Sequence, residues 1–142
     1  MIVIGEKDLR YEYDFRETCF GICYKYEKFY LTEKNNEIYL TGGGIESGES
    51  HKECLQREFL EEAGIEVTKI MKLCDIDCFW ITRDNKHMES LTHIYVVEVA
   101  KEIHQPLETN SKLILLNLKE AKEALKLPYQ RKALEVFMNK YM

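Results

Sequence analysis

Apolar positions in the early part of the chain fall in short runs. Phe15 to Tyr24, Phe29 to Thr32 and Ile38 to Leu40 are rich in β-branched and aromatic residues, and polar turns such as Glu33 to Asn36 divide them, which predicts strands. Gly42, Gly43 and Gly44 then open a polar loop that ends at Ser50, after which the period becomes helical up to Gly64. That change of period is the clearest boundary in the sequence. Strand composition returns from Ile65 to Thr82 and from Leu91 to Ala100, with Thr82 to Ser90 as a polar connection of hairpin type. Leu113 to Leu118 reads as one more short strand. The last segment is helical: Pro128 stands in its first turn, and Leu134, Phe137, Met138 and Tyr141 follow the i, i+3, i+4, i+7 spacing of one buried face.

With 142 residues and 45% hydrophobic content, this pattern describes one domain over residues 1–142, large enough for a real core. A net charge of -5 argues against a nucleic acid polymer as partner, because binding a phosphate backbone needs a basic surface. A small polyphosphate remains compatible, since divalent cations supply positive charge locally. The apolar run Met1 to Ile4 is too short for a signal peptide, and no stretch approaches the ~18 apolar residues of a membrane span. A soluble, cytoplasmic protein that does not enter a membrane is expected. Five cysteines, an odd number beside an adequate core, predict reduced thiols rather than a disulfide framework.

The predicted helix from Ser50 to Ala63 is specified at both ends. Ser50 and Glu53 make a capping box, and Gly64 stands where a left-handed cap is wanted. At ~100° per residue, Glu58, Glu61 and Glu62 share one narrow sector, while Leu55, Phe59, Leu60 and Ala63 spread over much of the rest. Like charges at i, i+3 and i+4 repel, so something should compensate them. Mg²⁺, which prefers carboxylate oxygens and completes its shell with water and phosphate, is the natural answer; a solvated acidic face is the alternative for any such triplet. The glycines before the helix weigh toward a ligand, because they allow backbone groups to approach a metal or phosphate closely.

Together these residues match a named pattern. Gly43, Glu49, Arg57, Glu58, Phe59, Glu61, Glu62, Gly64 and Ile65 fill every fixed position of the Nudix box, G-x5-E-x7-R-E-U-x-E-E-x-G-U, with Phe59 a slightly unusual U. A chance match has a probability on the order of one in a million. The chain therefore resembles the Nudix hydrolases of MutT type. More loosely, Ile38 to Gly43 is similar to the family's strand running into a Pro-Gly-Gly turn, with Thr41 in place of proline. Leu115 to Ala121 is similar to its late strand and helix start, with Leu115 where tryptophan is frequent.

The resemblance implies an α/β Nudix fold, a mixed β-sheet sandwiched between α-helices. It implies Mg²⁺-dependent (or Mn²⁺-dependent) hydrolysis of a pyrophosphate bond in a small nucleotide, a nucleoside diphosphate linked to another moiety, by metal-activated water. Glu58, Glu61 and Glu62 would bind the metal, with the Gly43 carbonyl as a further ligand. Arg57 would orient a glutamate through a bidentate pair, with Glu49 as its partner or an outer ligand. Four carboxylates stay open as general base: Glu61, Glu62 and two outside the helix, Glu89 and Glu108, both expected on loops. A non-catalytic Nudix domain, acting as nucleotide sensor or interaction module, is the competing reading. Members of the family often dimerise, and a homodimer fits the apolar strand surface.

Other residues carry less. Cys54 lies on the glutamate side of the helix but fits better as a small buried side chain than as a thiol ligand. Cys19 with Cys23 and Cys74 with Cys78 share strand faces rather than wrap a metal. Trp80 shares a face with Cys78 and Ile76, which favours burial over base stacking. The four histidines, His51, His87, His93 and His104, form no spaced pair, and His87, beside Arg83 and Lys86, is the one nearest a substrate-contacting role.

Overall fold

The computed structural model describes residues 1–142. In chain order the strands and helices are β1 (Ile2–Ile4), β2 (Asp14–Ile22), β3 (Tyr24–Lys25), β4 (Lys28–Lys34), β5 (Glu37–Tyr39), β6 (Thr41–Gly44), α1 (His51–Glu58), β7 (Ile65–Ile81), β8 (His87–Ile103), β9 (Ser111–Leu116), α2 (Leu118–Ala124) and α3 (Pro128–Tyr141). A mixed five-stranded sheet has the order β1-β7-β8-β2-β6, and β4 pairs with β3, β5 and β9 in a second, four-stranded antiparallel sheet.

Strand alternation explains why helices cover both faces. Consecutive residues of β2 go to opposite sides: Phe20 and Ile22 join Ile76, Ile94, Leu125, Leu134 and Phe137 in one core, while Cys19 joins Cys54, Leu55, Phe59, Ala63 and Val97 in the other. The first core lies under α2 and α3, the second under α1. The four-stranded sheet serves both, sending Phe29 and Leu31 to the first and Tyr30 to the second. The expected sandwich is present, with this smaller sheet added to it. No helix is long and apolar enough to cross a membrane.

Several boundaries differ from the sequence expectation, each for a physical reason. The glycine run does not form a turn: Thr41–Gly44 is an edge strand, antiparallel to β2 with Cys19 opposite Gly43. The hairpin connection shrinks to the loop before His87, closed by Thr82 N–H donating to Lys86 O, and Glu89 lies within β8 opposite Phe79. Leu118 belongs to α2 rather than to the strand before it, because Asn117 caps that helix by a reciprocal bond with Glu120. Trp80, one residue before the end of β7, is 42% exposed rather than buried, and its indole donates to Ser90. On α3, Leu134 and Phe137 are buried as expected, but Tyr141 is half exposed and lies tilted against Phe137.

Candidate active site

The box helix starts as its sequence specifies. Ser50 Oγ accepts from Glu53 N–H and Glu53 Oε1 accepts from Ser50 N–H, closing the capping box. Its end is different from the expected regular helix. Phe59–Ala63 forms one π-helical turn, and Gly64, at φ 66°, closes it by donating to Phe59 O. The wider turn frees carbonyls that the segment after β8 uses: Leu107 N–H donates to Leu60 O, Glu108 N–H to Glu61 O at 2.9 Å, and His104 N–H to Gly64 O at 2.7 Å. This second segment lies against the end of the helix, and it carries Glu108 to the box.

The turn also separates the three glutamates by environment. Glu58 and Glu62 are buried, whereas Glu61 is half-buried. Glu58 lies against β6, where a Cβ on Gly43 would stand 2.6 Å from its carboxylate oxygen, so a side chain there would push the carboxylate from this position. Glu62 Oε1 accepts from Gly42 N–H at 3.1 Å. Burial pushes the Glu62 carboxyl up to about 8, with the Glu58 and Glu108 charges adding and Lys34 opposing. Burial also raises Glu58, against the pull of Arg57.

Arg57 is the hub of the cluster. Its guanidinium forks onto Glu49, Nε to Oε2 at 2.6 Å and Nη2 to Oε1 at 2.9 Å, and also donates to Glu58 Oε1 at 2.9 Å, Glu61 Oε2 at 3.2 Å and the Gly44 carbonyl at 2.9 Å. Of the two roles expected for Glu49, partner of Arg57 or outer ligand, this contact corresponds to the first. Beside it, Arg57 holds the Glu49 carboxyl well down, to about 2. The arginine thus fixes the loop carboxylate and two box carboxylates at once.

A buried pair of carboxylates with raised affinity for protons, a third carboxylate beside them and an adjacent glycine backbone is a donor set of oxygens suited to a hard divalent cation. Glu58, Glu61, Glu62 and the Gly43 carbonyl are the groups that could hold such an ion. Cys54 does not join them: it is fully buried, its Sγ 3.7 Å from the Gly43 and Gly44 carbonyls, and the contact with Cys19 together with burial pushes the thiol far above its ordinary range.

Of the two outlying base candidates, the fold brings in one. Glu108 accepts from Lys34 Nζ at 3.0 Å and from Ser111 Oγ at 3.0 Å, and the Lys34 ammonium holds its carboxyl below the usual range. Glu89 has Asp77 and Lys7 as charged neighbours instead; burial, then Asp77, raises it. Lys34, a cation whose own raised affinity for its proton reflects Glu108, Glu62 and Glu58, escaped sequence reasoning, because nothing in the spacing of β4 links it to the box. His51 and His93 escaped it as well. Their rings meet at a tilt with centroids 4.1 Å apart although 42 positions separate them, and Glu17 and Asp75 flank His93.

Comparisons with known proteins bear on the fold and the family. A family model described as NUDIX domain matches residues 22–137. No curated protein matches in sequence. Among solved structures, a NUDIX hydrolase from Nitrosomonas europaea superposes with a TM-score of 0.71 at 17% identity, covering 89% of this chain and 90% of that one. A mutator MutT protein from Bacillus halodurans gives 0.71 at 20% identity over 84% and 80% of the two chains. A MutT NUDIX hydrolase from Burkholderia pseudomallei gives 0.65 at 22% over 86% and 97%.

Proposed function

The chain belongs to the Nudix hydrolase family, and on that premise we propose that it uses Mg²⁺ to hydrolyse a pyrophosphate bond in a nucleoside diphosphate linked to another moiety. The observation that carries this reading is the burial of Glu58 and Glu62 side by side at the end of α1, against the backbone of Gly42 and Gly43. Ionising both buried carboxyls is costly unless a cation joins them.

In this reading Glu58, Glu61, Glu62 and the Gly43 carbonyl hold Mg²⁺, with Mn²⁺ as a substitute. When bound, the ion supplies charge neutralisation for the diphosphate and activation of the attacking water. The chain's own residues do the rest. Arg57 keeps the carboxylates of Glu49, Glu58 and Glu61 in fixed orientation and is a positioning residue. Glu108, ionised beside Lys34, stands outside the helix as the carboxylate best supported to accept a proton from water, with Glu61 and Glu62 as the box alternatives. Solved relatives of the same fold include one titled ADP compounds hydrolase, which supports a nucleotide substrate. Five cysteines, none in a disulfide, support a reducing, cytoplasmic setting.

Release of phosphate or pyrophosphate from a panel of nucleotides, with and without Mg²⁺, tests the reading. Turnover is expected only with the ion, and Glu61→Gln or Glu62→Gln should lower it by about two orders of magnitude or more in folded protein. Near-normal turnover in both variants would sink the ligand assignment. Absence of turnover on every nucleotide, with Mg²⁺ bound, would favour a nucleotide sensor.

A further inference from the structure

The start of α1 rests on the five-stranded sheet at a second cluster that the hydrolytic reading does not use. We propose that Glu17 of β2, His51 of α1 and His93 of β8 form a Zn²⁺ site that ties the N-terminal turn of the box helix to the sheet.

One ligand atom from each of the three residues lies within 4.8 Å of the others, close enough for one ion after small side-chain adjustment. The elements converge here by register. His93 lies opposite Cys19 of β2 on one side and opposite Asp75 of β7 on the other, so Glu17, two residues from Cys19, shares its face. Helix α1 then lays its first residue, His51, over that face, ring against ring.

Both imidazoles are oriented as metal ligands are. His93 Nδ1 bonds Asp75 Oδ1 at 2.6 Å, and its Nε2 meets Glu17 Oε2 at 2.5 Å. His51 Nδ1 lies 2.7 Å from the Tyr95 hydroxyl, and in the tautomer that donates to it the Nε2 is left for a ligand. A carboxylate or hydroxyl behind one ring nitrogen, with the other nitrogen turned toward a further carboxylate, is the arrangement that fixes tautomer and direction in histidine-bound metal centres. Zn²⁺ would replace the hydrogen shared by His93 Nε2 and Glu17, and that proton would leave to solvent.

Charge and donor type select the ion. Glu17 and Asp75 bring two negative charges and Lys72, paired with Asp75, one positive, so a divalent cation meets a net attraction. Two imidazoles and one carboxylate suit Zn²⁺ and its transition-metal neighbours, whereas Mg²⁺ prefers the oxygen-only box. His93 is buried while Glu17 and His51 are half-buried, which leaves an approach and a fourth position for water. His51 follows Ser50, the cap, and stands two residues after Glu49, which holds Arg57. Zn²⁺ would therefore brace the loop and helix start that position the box.

The test uses the full chain with excess Mg²⁺ filling the box. Zn²⁺ titrated against a chromogenic chelator should bind one equivalent and raise the thermal midpoint. Co²⁺ in its place should give the intense visible bands of a tetrahedral ion, without a thiolate charge-transfer band. Glu17→Gln and His51→Asn, both at half-buried positions and checked for folding by circular dichroism, should weaken Zn²⁺ binding at least ~10-fold. Glu61→Gln should leave it unchanged. The proposal is overturned if the wild-type chain binds no Zn²⁺ in competition with the chelator, if the Glu17 and His51 variants bind as wild type, if Glu61→Gln abolishes binding, or if Co²⁺ reports thiolate ligands.

Discussion

At the scale of single residues, Arg57 is where orientation is concentrated. One guanidinium serves Glu49, Glu58, Glu61 and the Gly44 carbonyl, and its planar fork, not its charge alone, makes the four contacts compatible. Arg57→Lys keeps the charge and loses the fork. The expected result is a fall in kcat of ~10-fold or more with a smaller change in KM, because a lysine can hold one carboxylate but not several in register. Equal losses in an Arg57→Ala variant and no rescue by lysine at all would still fit positioning by geometry; full activity in Arg57→Lys would show that charge alone suffices. A pairing with Glu49 was one of two roles that the box resemblance offered for that residue, which stands in the loop before α1 while Arg57 lies in the helix's last turn. Lys34 and Glu108 were not readable as a pair, because the contact joins positions 74 apart, the end of β4 and the loop between β8 and β9.

At the scale of elements, what the sequence carries is what its local chemistry specifies. The capping box at Ser50, the left-handed cap at Gly64 and Pro128 at the head of α3 are all where their residue types place them. The π-helical turn was hidden because its cause is tertiary: the carbonyls it frees are satisfied by residues 107 and 108 from the segment after β8. Strand β6 was hidden for a related reason. A run of glycines has no strand preference of its own, and only pairing with β2 makes it one. Gly64 joins both halves of this junction. Its φ of 66° disfavours a side chain, and a Cβ would lie 2.1 Å from His104 O, a backbone atom that cannot easily move. Gly64→Ala should cost at least ~1–2 kcal/mol for the left-handed backbone alone, measurable by urea unfolding, and more for the clash. A loss under ~0.5 kcal/mol would mean that the segment from His104 to Glu108 is not anchored as described.

At the scale of the whole molecule, the same burial that suits the box to a cation makes the metal-free protein sensitive to pH. The Glu62 carboxyl, at about 8 when folded against 4.5 as a free side chain, binds a proton more tightly folded than unfolded. Its sign is therefore the reverse of an ion-paired carboxylate: stability falls as pH rises between the two values, because the unfolded chain has released a proton that the folded state still holds. Glu49, held near 2, is ionised in both states above its ordinary range and contributes a constant there. His51, lowered by burial and by the neighbouring His93 and Lys72, acts in the opposite direction but only below its ordinary value of 6.5. Between about pH 6.5 and 8, then, the glutamate dominates. One proton accounts for at most about 1.4 kcal/mol per pH unit, or roughly 2–8 °C in the thermal midpoint. In chelator-treated protein the midpoint should fall across this window, and Glu62→Gln, which keeps an acceptor for Gly42 N–H, should flatten the fall and melt higher at pH 8 while losing turnover. Mg²⁺ binds the ionised form, so its stabilising effect should grow with pH over the same range. A wild-type profile without slope, or a slope unchanged in Glu62→Gln, would separate the burial of this carboxylate from the stability of the fold and remove the reason for expecting a cation beside it.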